Sequence, residues 1–285
     1  MNQTTVAKRR APAYIGKIIN HFLLIVFGVL WIYPFLWMFS SSFKANDEFW
    51  ANRLGLIPQS LNLDNFIRLW TEGNFNVYFV NTVIVTFFTV LLVMVMTNMS
   101  GYVLGRFQFT GRKAVMGVFL ASICIPLTAT IIPVYQVIKG MGLVGTRLGL
   151  ILSCAGGGHV IFLLLFSSFY SQIPNDLEEA AKLDGCGFLK TYTHVMMPLS
   201  MPINTTVIIM ETIWTWNAFL VPLVLTLSNS SSRTLAVGLY SFRGENVVDW
   251  TGIAAGGAIS VIPIIVLFIF MQKYFVNGVA GAVKS

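Results

Sequence analysis

The chain has 285 residues, 56% of them hydrophobic and only 10% charged, a balance far from that of a soluble domain and one that makes the bilayer its expected solvent. Its formal charge of +7 does not indicate nucleic acid, because the basic residues stand in short runs between long apolar stretches and form no basic face. Cys124, Cys154 and Cys186 have neither CxxC nor metal-ligand spacing, which argues against redox or zinc chemistry.

In chain order, residues 1–20 form a polar segment with Lys8, Arg9 and Arg10, followed by an apolar run to about Ser42. No A-x-A cleavage pattern interrupts that run, so it is expected to stay as a membrane anchor. A window of about 20 uncharged residues crosses the hydrocarbon core as a helix. Such windows predict spans at 21–42, 78–104, 114–137, 149–171 and 252–272, and a further one at 202–225 that carries Glu211. The expectation is an all-α membrane protein whose 21–275 domain holds six transmembrane helices. An even number of crossings puts both termini on one side. With the termini cytoplasmic, the inner segments carry Lys8, Arg9, Arg10, Lys17, Arg106, Arg112, Lys113, Lys182, Lys190, Lys273 and Lys284. The outer ones carry Lys44, Arg53, Arg68, Lys139, Arg147, Arg233 and Arg243 over more loop length, so the positive-inside bias favours that orientation. Pro34, Pro126, Pro133, Pro222 and Pro263 mark kinks. The pairs Gly101/Gly105 and Gly252/Gly256 have the spacing that lets helices approach closely.

Some chemistry is missing. The only Gly-Lys pair, Gly16-Lys17, is followed by Ile18, so no phosphate-cradling GxxxxGK[ST] loop exists and the chain is not expected to bind ATP or act as an enzyme. HExxH and GxSxG are absent, and His21, His159 and His194 are dispersed, so no metal or cofactor is expected here. The sequons at Asn98, Asn204 and Asn229 are chance matches in a non-eukaryotic protein. A single acid within a span, Glu211, is compatible with an ion-coupled secondary carrier, with a carboxyl facing a water-filled cavity, or with pairing across a subunit interface. These residues alone leave a carrier, a structural or enzymatic membrane subunit and a partner-driven permease all open.

The loop 174–198, PNDLEEAAKLDGCGFLKTYTHVMMP, is polar yet patterned like helices. Asn175 suits a helix N-cap with Glu178 as its capping-box partner, and Asp176 and Glu179 suit the positive end of the helix. Leu177, Ala180 and Ala181 are expected to share a face. Gly185 and Gly187 stop that helix, a second runs over about 188–195, and Pro198 closes it before the next span. The expected product is a compact helix-turn-helix knob that a soluble partner can grip, the alanines permitting close approach.

This segment resembles the EAA motif of importer-type ABC permeases: E-A-A, three residues, Gly, nine residues, Ile, one residue, Leu-Pro. Glu179, Ala180, Ala181, Gly185 and Pro198 match it, while Val195 and Met197 stand where Ile and Leu are usual. Cys186 replaces the small residue that commonly follows Asp184-Gly185. Segments 37–44, 101–109 (GYVLGRFQF, similar to A-Y-A-x-A-R-x-x-F) and 278–284 extend the resemblance to sugar-importer permeases similar to the maltose system's smaller channel subunit. Residues 216–220, WNAFL, resemble W-N-[DE]-F-L, with Ala218 in place of the acid; any role of that acid is not carried over.

The resemblance implies that the knob is a coupling helix seated in an ATPase subunit, with Glu179, Ala180, Ala181, Asp184, Gly185 and Pro198 as the ATPase-coupling residues. ATP and Mg would act in that partner. It implies a second homologous permease subunit, two ATP-binding-cassette ATPase subunits and an extracytoplasmic sugar-binding protein, in the cell membrane of a bacterium or archaeon. The outer loop 228–250 is the candidate for docking the binding protein. Glu211, Trp214, Trp216 and Asn217 are the candidates for the substrate pathway, with the alternative that the tryptophans and Asn217 line the contact between the two permeases.

Overall fold

Backbone polar groups in a bilayer must be satisfied within the chain, which leaves the helix as the open option for long apolar segments. The computed structural model describes residues 11–156, 159–242 and 248–283, with side chains described between 16 and 272 of these, and within them it is helical nearly throughout and holds no strand. The basic cluster Lys8, Arg9, Arg10 and the end of the 278–284 tail lie outside the described residues. The helices are α1 Ala11–Ser42, α2 Asn46–Ala51, α3 Asp64–Thr71, α4 Phe75–Arg106, α5 Arg112–Ile123, α6 Ile131–Gly140, α7 Arg147–Ala155 and α8 Val160–Gln172. After them come α9 Asp176–Leu183, α10 Phe188–Thr191, α11 Met197–Leu199, α12 Met201–Trp216, α13 Leu220–Leu225, α14 Leu235–Ser241 and α15 Trp250–Val283.

Among the described residues, three stretches are long and apolar enough to cross a membrane: Gly16–Ser42, Phe75–Arg106 and Trp250–Gln272. Two more arise if each bent pair counts as one span: Arg112–Ile123 with Leu127–Gly140, bent by 98°, and Arg147–Ala155 with Val160–Gln172, bent by 52°. The spans expected at 114–137 and 149–171 are therefore each broken into two helices. Pro126 explains the first break, since its ψ of 132° is extended and the residue before a proline is pushed out of helical geometry. The second falls in the glycine-rich stretch that starts at Gly156. The window expected at 202–225 is broken too, because Phe219 leaves helical geometry between α12 and α13, with φ −121° and ψ −60°.

The chain forms two units, one running to Trp70 and taking in Phe242–Ile259, the other comprising Thr71–Ser241 and continuing from Ser260. In the first, the end of α1 is held by buried polar groups. Lys44 is fully buried, and its Nζ donates to the carbonyls of Asn52 (3.0 Å) and Gly55 (2.6 Å). Asn65 Nδ2 donates to the carbonyls of Ser42 (3.0 Å) and Lys44 (2.8 Å). Asp249 caps α15 through Gly252 N–H at 2.9 Å and pairs with Arg68 at 2.7 Å. Met38 Sδ lies 2.8 Å from where a Cβ on Gly257 would stand, so the close helix approach involves Gly257, while Gly252 backs onto its own cap.

The second unit is organised around α4, which is built inside out. Asn81, Thr82, Thr86, Thr89, Thr97 and Asn98 are buried, while Val80, Val83, Phe87, Phe88, Leu91, Val95 and Met96 are exposed. That is the inversion expected when lipid rather than water surrounds the helix. Gly101 and Gly105 let α8 in: a Cβ at Gly101 would strike Phe166, and one at Gly105 would stand 2.6 Å from the Ser167 carbonyl. Val93, Tyr102, Phe162, Phe166, Tyr170, Tyr192, Met196 and Val207 form the adjoining core. At the other end of α4, Asn81 Nδ2 donates to the carbonyls of Ser231 and Arg233, both at 2.8 Å, and Asn81 Oδ1 accepts from Arg147 Nε at 2.7 Å. The start of the 228–250 loop is thus pinned to α4; residues 243–247 of it lie outside the described residues.

Candidate functional site

The helix α9 starts after Asn175, whose backbone is already right-handed helical (φ −64°, ψ −29°) and whose side chain makes no cap bond. The expected capping box does not form. Asn175 instead receives the Glu178 and Glu179 N–H groups at its carbonyl, at 2.9 and 3.0 Å, and the Glu178 carboxylate is drawn elsewhere. The helix ends at Gly185, φ 78°, with Gly185 N–H on the Lys182 carbonyl (3.0 Å) and Cys186 N–H on the Ala181 carbonyl (2.9 Å). This is a Schellman turn, which needs a residue tolerant of left-handed geometry.

Asp176, Glu179, Ala180 and Leu183 are exposed and recur at i, i+3, i+4 and i+7, one face of a helix. Ala181 is buried and Glu178 is turned toward the protein, so of Leu177, Ala180 and Ala181, expected to share a face, only Ala181 is covered while Leu177 and Ala180 beside it are exposed. Asp184 and Gly185 are exposed at the turn.

The second arm is α10, then a π-turn over Tyr192–Met196 in which Met197 N–H reaches back to the Tyr192 carbonyl, then α11. Pro198 does not close this arm as expected; it is exposed within the first turn of α11, and the chain turns at Ser200. A proline has no N–H to give the carbonyl four residues earlier, and the widened turn just before it accommodates that loss.

Both arms are tied to α4. Arg106, the last residue of α4, donates from Nε to Glu178 Oε1 at 3.1 Å and from Nη1 to the carbonyls of Ile173 (2.6 Å) and Tyr170 (3.3 Å) at the end of α8. Tyr102 OH donates to the same Glu178 oxygen at 3.0 Å. Asn98 Oδ1 accepts from Tyr170 OH (2.7 Å) and Tyr192 OH (2.8 Å), and its Nδ2 donates to Asn204 Oδ1 (2.6 Å). Ser200 Oγ lies 3.0 Å from Tyr170 OH and accepts from Asn204 Nδ2 at 3.2 Å. Burial pushes the Tyr192 phenol up to about 12, so it remains a neutral donor. Sequence reasoning gave no role to Glu178 beyond capping and dismissed Asn98 and Asn204 as chance sequons. The signal was a polar residue in each apolar window, since intramembrane amides find partners.

Of the pathway candidates, Glu211 is buried, accepts from Thr215 Oγ1 at 2.7 Å, and has His159 Nδ1 3.0 Å from its second oxygen. His159 Nε2 donates to the Cys154 carbonyl at 2.8 Å, bridging α7 and α8. Trp214 is 44% exposed and stacks at 4.9 Å on Phe162, which stacks in turn on His159 at 5.9 Å. Trp216 is buried, donating to the Ser260 carbonyl at 3.1 Å, and Asn217 is exposed, donating to the Ile213 carbonyl at 2.8 Å. The structure thus brings Glu211 and Trp214 onto one cluster with His159, with Trp214 the member that presents a face outward.

Residues 97–281 match the family described as binding-protein-dependent transport system inner membrane component. The chain is 35% identical to the probable ABC transporter permease protein YurM of Bacillus subtilis (strain 168), over 98% of this chain and 92% of that protein. It is 32% identical to the diacetylchitobiose uptake system permease protein NgcG of Streptomyces coelicolor, over 92% of this chain and 87% of that one. Among solved structures, a chain of a bacterial ABC transporter involved in the import of the acidic polysaccharide alginate shares the fold, with TM-score 0.83 and 24% identity over 93% of this chain and 98% of that one.

Proposed function

The chain belongs to the family of binding-protein-dependent transport system inner membrane components, and on that premise we propose that it forms half of the translocation pathway for a sugar or oligosaccharide. It is a membrane-embedded permease subunit of an ABC sugar importer. The chemistry that drives it, ATP hydrolysis with Mg²⁺, resides in two separate ATPase subunits; a second homologous permease completes the pathway, and a binding protein delivers the sugar from outside. Six crossings, with the window 202–225 supplied by α12 and α13 and both termini cytoplasmic, put the 174–198 loop on the ATPase side.

One observation carries this reading: α9 turns Asp176, Glu179, Ala180 and Leu183 outward while Glu178 on its other face is bonded to Tyr102 and Arg106 at the end of α4, and Arg106 in turn holds the end of α8. A short helix held firmly behind and bare in front is a surface for a partner, and a bare alanine lets that partner come close. Glu179, Ala180 and the turn at Asp184 and Gly185 make the ATPase contact; Ala181 and Pro198 shape the knob that presents them. Trp214 and Asn217 face the pathway or the second permease, with Glu211 and Trp216 supporting them from within.

The test is co-purification with the ATPase and the effect of Glu179→Lys, which should leave the permease pair in the membrane yet uncouple ATP hydrolysis from transport. Full coupled transport by that variant removes the assignment. The ion-coupled carrier built on Glu211 is set aside with the family, and Glu211 is already engaged by Thr215 and His159.

A further inference from the structure

Asn98, Tyr102 and Arg106 stand at i, i+4 and i+8 on α4, a single stripe over the last turns of that helix. Every member of the stripe bonds the 174–198 loop or the residues beside it: Asn98 takes Tyr192 OH, Tyr102 donates to Glu178, and Arg106 holds Glu178 and the Ile173 carbonyl. Beside it, Gly101 and Gly105 form the stripe that seats α8. The end of α4 therefore binds α8 with one face and both arms of the loop with another.

We propose that Arg106 and Glu178 are positioning residues for transport: they lock α9 to the ends of α4 and α8, so that a force on the outward face of α9 moves these helices as one body. The inference rests on reading α9 as the helix that meets the ATPase. Its chemistry follows from placement. Successive helical residues point about 100° apart, so of the two adjacent glutamates Glu179 faces out and Glu178 faces the protein. The Glu178 and Arg106 side chains are 13% and 4% exposed. A buried ion pair contributes little net stability, but loss of one partner is costly, and such pairs are best attested as devices that fix a register. Arg suits the task better than Lys because its planar fork serves the carboxylate and the α8 carbonyls at once.

The experiment uses the permease pair assembled with its ATPase subunits, with Cys124, Cys154 and Cys186 replaced by serine. Spin labels are placed at Lys182→Cys, on the flank of α9, and at Met99→Cys, on the exposed side of α4. The label separation is measured in the nucleotide-free and ATP-vanadate states. The locked body predicts one separation in both states, and predicts that Glu178→Gln or Arg106→Gln makes it shift or broaden with nucleotide. Arg106→Lys is expected to fall between. Should the glutamine variants fail to assemble, Tyr102→Phe, which removes one bond to Glu178, carries the test and is expected to broaden the distribution. A nucleotide-dependent shift in the parental complex, or an unchanged separation in the variants that assemble, overturns the proposal. Glu179→Lys separates this from the underlying reading: if it still couples normally, α9 is not the ATPase contact, whereas an uncoupled Glu179→Lys beside unshifted Glu178→Gln labels sinks the lock alone.

Discussion

Asn98 donates from Nδ2 to Asn204 Oδ1 at 2.6 Å, and both amides are buried. The contact joins α4 to α12 and aligns the Asn98 oxygen to receive the Tyr170 and Tyr192 phenols at 2.7 and 2.8 Å. An amide with both oxygen lone pairs and one N–H engaged inside an apolar bundle fixes one arrangement of four segments, because any slippage leaves several polar groups unpaired.

Asn98→Ala should therefore be among the most destabilising single changes in the second unit. Each buried group left without a partner costs about 1–3 kcal/mol; the Tyr192 hydroxyl and the Asn204 oxygen lose theirs, while Tyr170 keeps Ser200. The thermal midpoint of the purified complex should drop by many degrees; a midpoint equal to the parental value refutes the network's weight.

Gly101→Ala and Gly105→Ala place a methyl where Phe166 and the Ser167 carbonyl already stand. Overpacking of this kind costs about 1–3 kcal/mol or more, expressed as lower yield of assembled protein and a lower midpoint. Gly117→Ala, which meets nothing within 4 Å, is the matched control and should be silent.

At Gly185, φ is 78°, whereas Gly187 has φ −76°. An L side chain in the left-handed region costs roughly 1–2 kcal/mol, so Gly185→Ala should loosen the turn after α9 and weaken ATPase association. Gly187→Ala should not. Equal binding by both variants in a co-purification titration speaks against the turn's role.

His159 and Glu211 meet at 3.0 Å. A double-mutant cycle with His159→Ala and Glu211→Gln should give an interaction energy of about 0.5–3 kcal/mol, read from thermal unfolding. Strict additivity means that the two side chains do not act together.

Composition and the charge-free windows carried the membrane class and the approximate places of the helices, since span length is dictated by bilayer thickness. Pro126 was legible as a kink, yet the size of its bend, 98°, was not, because a proline permits a bend and packing sets it. The helix over 176–183 and its glycine stop at Gly185 were legible, because both are local signals; the missing cap bond at Asn175, the π-turn over Tyr192–Met196 and the place of Pro198 inside α11 were not. What each residue of α9 faces was not legible either. Glu178 and Glu179 are identical in local chemistry and differ only in direction, and direction was decided by where Arg106 and Tyr102, over 70 residues earlier in the chain, bring their donors. The same holds for Asn98 and for the joining of His159 to Glu211. Local pattern determines helices and turns, whereas partners distant in the chain become neighbours only through packing, and the burial of a polar group becomes affordable only once they have met.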